Sequence, residues 1–157
     1  MNNFGENSVI EKNLEDITGV TCIYVPVRDV FTSVQWYRRN LGCEPTIHYS
    51  VEPGMTRAIM RFPDINGVLA EPGIRQVVPA LILMRAIESA GELGFVLDDG
   101  IRHPSFCFIA PNFYEIFNRF KENGVHILTE SIEGKPNGPY VSFTDPDGNV
   151  LAIWQPL

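Results

Sequence analysis

The feature that most constrains this chain is a repeated order of elements. Thr21–Val27 is rich in strand formers, and Asp29 then stands where a helix cap belongs. Val30, Val34, Tyr37 and Leu41 recur at helical spacing and make one apolar face, and Gly42 follows as a left-handed terminator. Thr46–Val51 and Arg57–Phe62 read as strands around the turn Glu52-Pro53-Gly54, and Pro79–Arg85 reads as another after the irregular stretch Pro63–Pro79. The same order recurs. His103–Ala110 is a strand, and Asn112 caps a helix with Glu115 in capping-box position. Phe113, Ile116, Phe117 and Phe120 form that helix's apolar face, and Gly124 ends it. Val125–Glu130, Pro139–Phe143 and Val150–Gln155 complete the copy, with Asp145-Pro146-Asp147-Gly148 as a tight turn between the last two. The fold class is therefore α+β, two βαβββ modules paired around a U-shaped cleft of mixed sheets. Residues 1–16 read as a polar tail and 17–157 as the domain, with modules at roughly 17–88 and 100–157.

Alternation along the strands sorts their faces. Ile23, Val25, Val27, Leu81, Leu83, Phe106, Phe108, Ala110, Leu151 and Ile153 form an apolar set that can lie under the helices. The opposite faces collect Cys22, Tyr24, Ile82, Met84, Ser105, Cys107, Ala152 and Trp154. That mixture of apolar bulk and a few polar groups is what lines small-molecule sites, although such side chains can also simply fill a core. Arg57 and Arg61 fall on the same side of their strand, opposite Ala58 and Met60, where they can meet an anionic ligand group or stand as solvated edge charges. Tyr24 and Trp154 offer rings for a planar ligand, or ordinary aromatic packing.

Composition narrows the function classes. The 157 residues are 45% hydrophobic and 20% charged, which suits a globular protein and no coiled coil or disordered chain. The net charge of −7 gives no footprint for nucleic acid and weakly favours a cationic ligand, against the local message of Arg57 and Arg61. No apolar run is long enough to span a bilayer, so no membrane partner is expected. Met1–Glu6 carries no leader pattern, and Cys22, Cys43 and Cys107 form no CxxC spacing, which together predict reduced thiols in a cytoplasmic protein. Cys22 as a nucleophile needs a base or cation beside it, and no His is adjacent in sequence. Phosphate-binding loops, GxSxG and dinucleotide fingerprints are absent.

Three segments carry a family resemblance. They are Val25-Pro26-Val27-Arg28-Asp29 running into Trp36-Tyr37-Arg38-Arg39-Asn40-Leu41-Gly42, the helix Phe113–Phe120 ending in Lys121-Glu122-Asn123-Gly124-Val125, and Phe143-Thr144-Asp145-Pro146-Asp147-Gly148-Asn149-Val150. Over about residues 17 to 156 the chain resembles the vicinal oxygen chelate superfamily of glyoxalase I, bleomycin-resistance proteins, extradiol dioxygenases and fosfomycin-resistance enzymes. In metal-using members the resemblance places ligands at positions that here hold Cys22, Ile82, Ser105 and Ala152. One thiolate does not make a site, so no family-type divalent metal or other cofactor is expected. His48, His103 and His126 could in principle converge on a displaced metal, but they read better as surface or hydrogen-bonded residues. The resemblance implies a binding protein that sequesters a small molecule, such as a toxic compound or antibiotic, with a homodimer as the expected assembly. The alternative is a lyase, isomerase or dioxygenase with a rearranged metal site or none. A third reading is a scaffold that has lost its pocket.

Overall fold

A computed structural model describes residues 17, 19–69, 78–129, 132–133 and 135–157. The expected tail, part of the Pro63–Pro79 stretch and Glu130 lie outside the described residues. The first module contributes β1 (Cys22–Val27), α1 (Val30–Leu41), β2 (Glu44–Pro45), β3 (Arg57–Arg61) and β4 (Ala80–Arg85). A connecting hairpin of β5 (Phe95–Val96) and β6 (Arg102–His103) follows. The second module holds β7 (Phe108–Ile109), α2 (Phe113–Glu122), β8 (His126–Ile127), β9 (Tyr140–Thr144) and β10 (Val150–Trp154). The two four-stranded sheets run β1-β4-β3-β2 and β7-β10-β9-β8. In each, the first strand lies parallel to the last strand of its module and the remaining pairs are antiparallel. The internal repeat is therefore a repeat of topology, and the α+β class is as the sequence implies.

The helix ends follow local chemistry. The Asp29 side chain accepts from Thr32 N at 3.1 Å, and Gly42 closes α1 with φ 69°. Asn112 takes the N-cap of α2 but makes no side-chain cap bond, so the expected capping box does not form. Gln155 reaches over from the end of β10 and accepts from Phe113 N at 3.3 Å instead.

Three strand expectations are corrected. Thr46–Val51 is not a strand: β2 is the short Glu44–Pro45, and residues 47–51 are exposed, so their strand formers have no surface to cover. His103–Ala110 is broken into β6 and β7, with buried Pro104 between them. A proline gives no ladder hydrogen, so His103 pairs back onto Phe95 while Phe108 pairs onto Ile153. The hairpin carrying β5 was not among the expected elements.

One hydrophobic core serves both modules. Val25, Val27, Val34, Tyr37, Leu81 and Leu83 cluster with Phe113, Phe120, Phe143 and Leu151. The apolar face read from alternation is this core. Within it Tyr37 donates to Asp145 Oδ2 at 2.8 Å, a bond between the modules. Asn149 completes the joint, donating through Nδ2 to Asp145 Oδ2 at 2.7 Å and to the Pro26 carbonyl at 2.9 Å. The connecting hairpin is held to the same turn by Arg102, whose Nη1 donates to the Gly148 carbonyl at 2.6 Å.

Candidate functional site

Both mixed faces lie on the sheet sides opposite the core. On the first sheet the register aligns Tyr24 with Ile82 and Ile59, and Pro26 with Met84 and Arg57. Tyr24 is 60% exposed, Arg57 is exposed, and Cys22, Ile82, Met84 and Arg61 are half-buried. A side-chain hydrogen bond with Cys22 raises the pKa of the Tyr24 phenol, and the nearby positive charge of Arg57 pulls it back. Sequence reading thus brings Cys22, Tyr24 and Arg57 together correctly as neighbours on one surface.

Ser105 and Cys107 are exposed in the unpaired segment between β6 and β7, while on β10 of the second sheet Ala152 is fully buried and Trp154 is half-buried. Here a hollow of about 420 Å³ is lined by Cys107, Tyr140, Trp154 and the segment Lys135-Pro136-Asn137-Gly138. The segment is tied down from several sides. Trp154 donates Nε1–H to the Asn137 carbonyl at 3.0 Å, and Gln155 N donates to the Pro139 carbonyl at 3.1 Å. Gly138 has φ 116°, and a Cβ there would run into the Gln155 carbonyl oxygen, so only glycine lets the segment lie this close to β10. Burial pushes the Cys107 thiol up to about 11, although the residue as a whole is exposed, which leaves it protonated and weakly nucleophilic at neutral pH. Burial also raises the Tyr140 phenol, with the neighbouring Cys107 adding to the effect. The hollow can therefore offer rings, hydrogen-bond donors and one cation, Lys135, and no carboxylate lines it.

Sequence reading found Cys107 and Trp154 but missed Tyr140 and the 135–138 segment. The run Lys135-Pro136-Asn137-Gly138-Pro139 announces a turn, yet nothing local says which strand it docks on. Among the described residues no hydrogen bond or ring contact joins the first sheet's set to the second's.

The ligand positions implied by the resemblance can be tested on their chemistry. Ile82 and Ala152 carry no donor atom, Cys22 stands on β1 of the first sheet, and Ser105 lies outside the sheets between β6 and β7. The histidines do not converge either. His48 Nδ1 contacts Thr46 Oγ1 at 2.9 Å, His103 Nδ1 contacts the Pro104 carbonyl at 2.7 Å, and His126 is exposed on β8. Among the described residues no three or more His, Cys, Asp or Glu side chains group as a metal site.

Comparison with known proteins gives a consistent picture at the level of fold. The family model of the Glyoxalase/Bleomycin resistance protein/Dioxygenase superfamily matches residues 19–153. A search of curated proteins finds no match. Among solved structures, TnmS3, an antibiotic binding protein from Streptomyces sp. CB03234, is 21% identical with a TM-score of 0.60, covering 92% of this chain and all of its own. The fosfomycin resistance protein FosX from Listeria monocytogenes, solved with Mn(II) and sulfate, is 14% identical with a TM-score of 0.60, covering 90% of this chain and 93% of its own. A superfamily member from Sphaerobacter thermophilus is 22% identical with a TM-score of 0.56, covering 88% and 98%. Among the described residues no helix is long and apolar enough to cross a membrane.

Proposed function

The chain belongs to the glyoxalase/bleomycin resistance protein/dioxygenase superfamily, and on that premise we propose that it binds and sequesters a small molecule, a toxic compound or antibiotic, without a resident metal. The observation that carries this reading is the hollow walled by Trp154, Tyr140 and Cys107, standing beside a strand whose expected ligand position is the donorless Ala152. Rings, a protonated thiol and backbone carbonyls suit stacking and hydrogen bonding and supply no Lewis acid. Free Cys22, Cys43 and Cys107 support a reducing, cytoplasmic setting. The likeness to an antibiotic-binding protein supports the class of ligand.

Calorimetric titration with a panel of planar and glycosylated antibiotics tests the reading. At least one is expected to bind, and Trp154→Ala is expected to weaken it by about tenfold, the loss of one good ring contact with its buried area. A folded protein that takes up none of them would overturn it. Metal analysis of protein purified without chelator separates the enzyme alternative: one divalent ion per chain would favour a rearranged metal site.

A further inference from the structure

Arg61 Nε and Nη1 are buried and have no hydrogen-bond partner, and no other described side chain has a buried nitrogen or oxygen left in this state. A guanidinium is always charged, and buried polar groups are normally met, so an orphaned one calls for an acceptor. The acceptor closest by register is not free. Glu44 faces Arg61 across β2 and β3, yet its carboxylate is taken by Arg38 Nε at 3.0 Å. Met60 faces Leu81, and Ile59 faces Ile82, so Arg61 comes level with Ala80, which in turn faces Cys22. The smallest side chain of the row thus lies between the guanidinium and the thiol. Ile59 and Ile82 form the next row along the same face, and Arg57 stands beyond them, exposed and without an ion pair.

Resting on the small-molecule reading above, we propose that Arg61 is the specificity-determining clamp of the first sheet's face and that the ligand carries an oxyanion, a carboxylate, sulfonate or phosphonate, on an apolar body. The oxyanion meets the Arg61 guanidinium above Ala80, the side chains that cover its unsatisfied nitrogens parting to admit it, and the apolar body lies over Ile59 and Ile82. Arg57 adds positive potential at the far end. The charge that selects the ligand is thus local and positive, although the chain as a whole carries −7.

The test uses a matched pair of dyes on the full chain, 8-anilinonaphthalene-1-sulfonate and its uncharged analogue N-phenyl-1-naphthylamine, with wild type and Arg61→Met. Fluorescence titration is expected to show the sulfonate bound at least about tenfold more tightly by wild type than by Arg61→Met, with the neutral dye bound equally by both. Urea unfolding is expected to show Arg61→Met no less stable than wild type, because the substitution removes a buried charge that no protein group meets. Equal sulfonate affinity in the two proteins overturns the clamp and leaves the small-molecule reading standing. Parallel loss of both dyes in Arg61→Met also overturns it, since that is a packing effect. A wild type that takes up neither dye overturns the clamp and counts against the small-molecule reading as well.

Discussion

Tyr37 shows how much one side chain decides here. It sits on the apolar stripe of α1 and is fully buried, yet its hydroxyl ends on a carboxylate from the other module. Burial, and then the charge of Asp145, push its own pKa well above the usual phenol range, so it remains a donor at any physiological pH. Burial likewise raises Asp145, and hydrogen bonds from Asn149 and Tyr37 pull it back down. The sign of the linkage follows: a raised acid favours the folded state while protonated, and that advantage is lost as the pH rises from the ordinary 3.8 through the raised value. Tyr37→Phe removes a donor to the ionised form and raises Asp145 further. Chemical denaturation is expected to show a loss of about 2 kcal/mol at neutral pH, shrinking toward acid pH, where Asp145 is protonated in both proteins. A gap that stays constant with pH would show that the hydroxyl does not act through the carboxylate. The phenylalanine-like spacing of Tyr37 was legible in the sequence. Its partner was not, because 108 residues separate the two and nothing local couples them.

The two helices look alike in sequence and start differently. Asp29 supplies a side-chain cap to Thr32, whereas Asn112 supplies none and Gln155 serves Phe113 from another element. Asp29→Ala is accordingly expected to destabilise by about 1 kcal/mol, and Asn112→Ala by only a few tenths, as measured by urea midpoints with unchanged slopes. Equal losses would mean that Asn112 caps in solution after all. Strands show the same division. Those whose alternation continues into a buried face, such as Arg57–Arg61 and Val150–Trp154, appear where the pattern puts them. Thr46–Val51 and His103–Ala110 do not, since a strand needs a partner and a surface to cover, and exposure in one case and Pro104 in the other withhold these.

At the scale of the molecule, each mixed face leaves apolar surface exposed in a single chain, Tyr24 at 60% on one and Ile109 at 67% on the other, although Ala152 is covered. Exposed apolar surface on this scale is expected to draw a second copy, the homodimer that the family resemblance implies. Light scattering is then expected to give twice the chain mass of 17.6 kDa, and Tyr24→Asp together with Ile109→Asp is expected to return it to the single value. A monomer at high micromolar concentration would remove the second copy from the picture. The sequence by itself determined the repeat, the α+β class, the two apolar helix faces and the side of each strand that meets the core. Periods of 3.6 and 2 are local properties, and the chain writes them down directly. Only the tertiary structure decided that Asp145 and Asn149 join the modules, that Lys135–Gly138 roofs a hollow over Trp154, and that Arg61 is left without an acceptor while Glu44 turns to Arg38. Each of these depends on which distant residue arrives within a few ångströms, and register, docking and competition for a partner are settled by the packing of the whole chain.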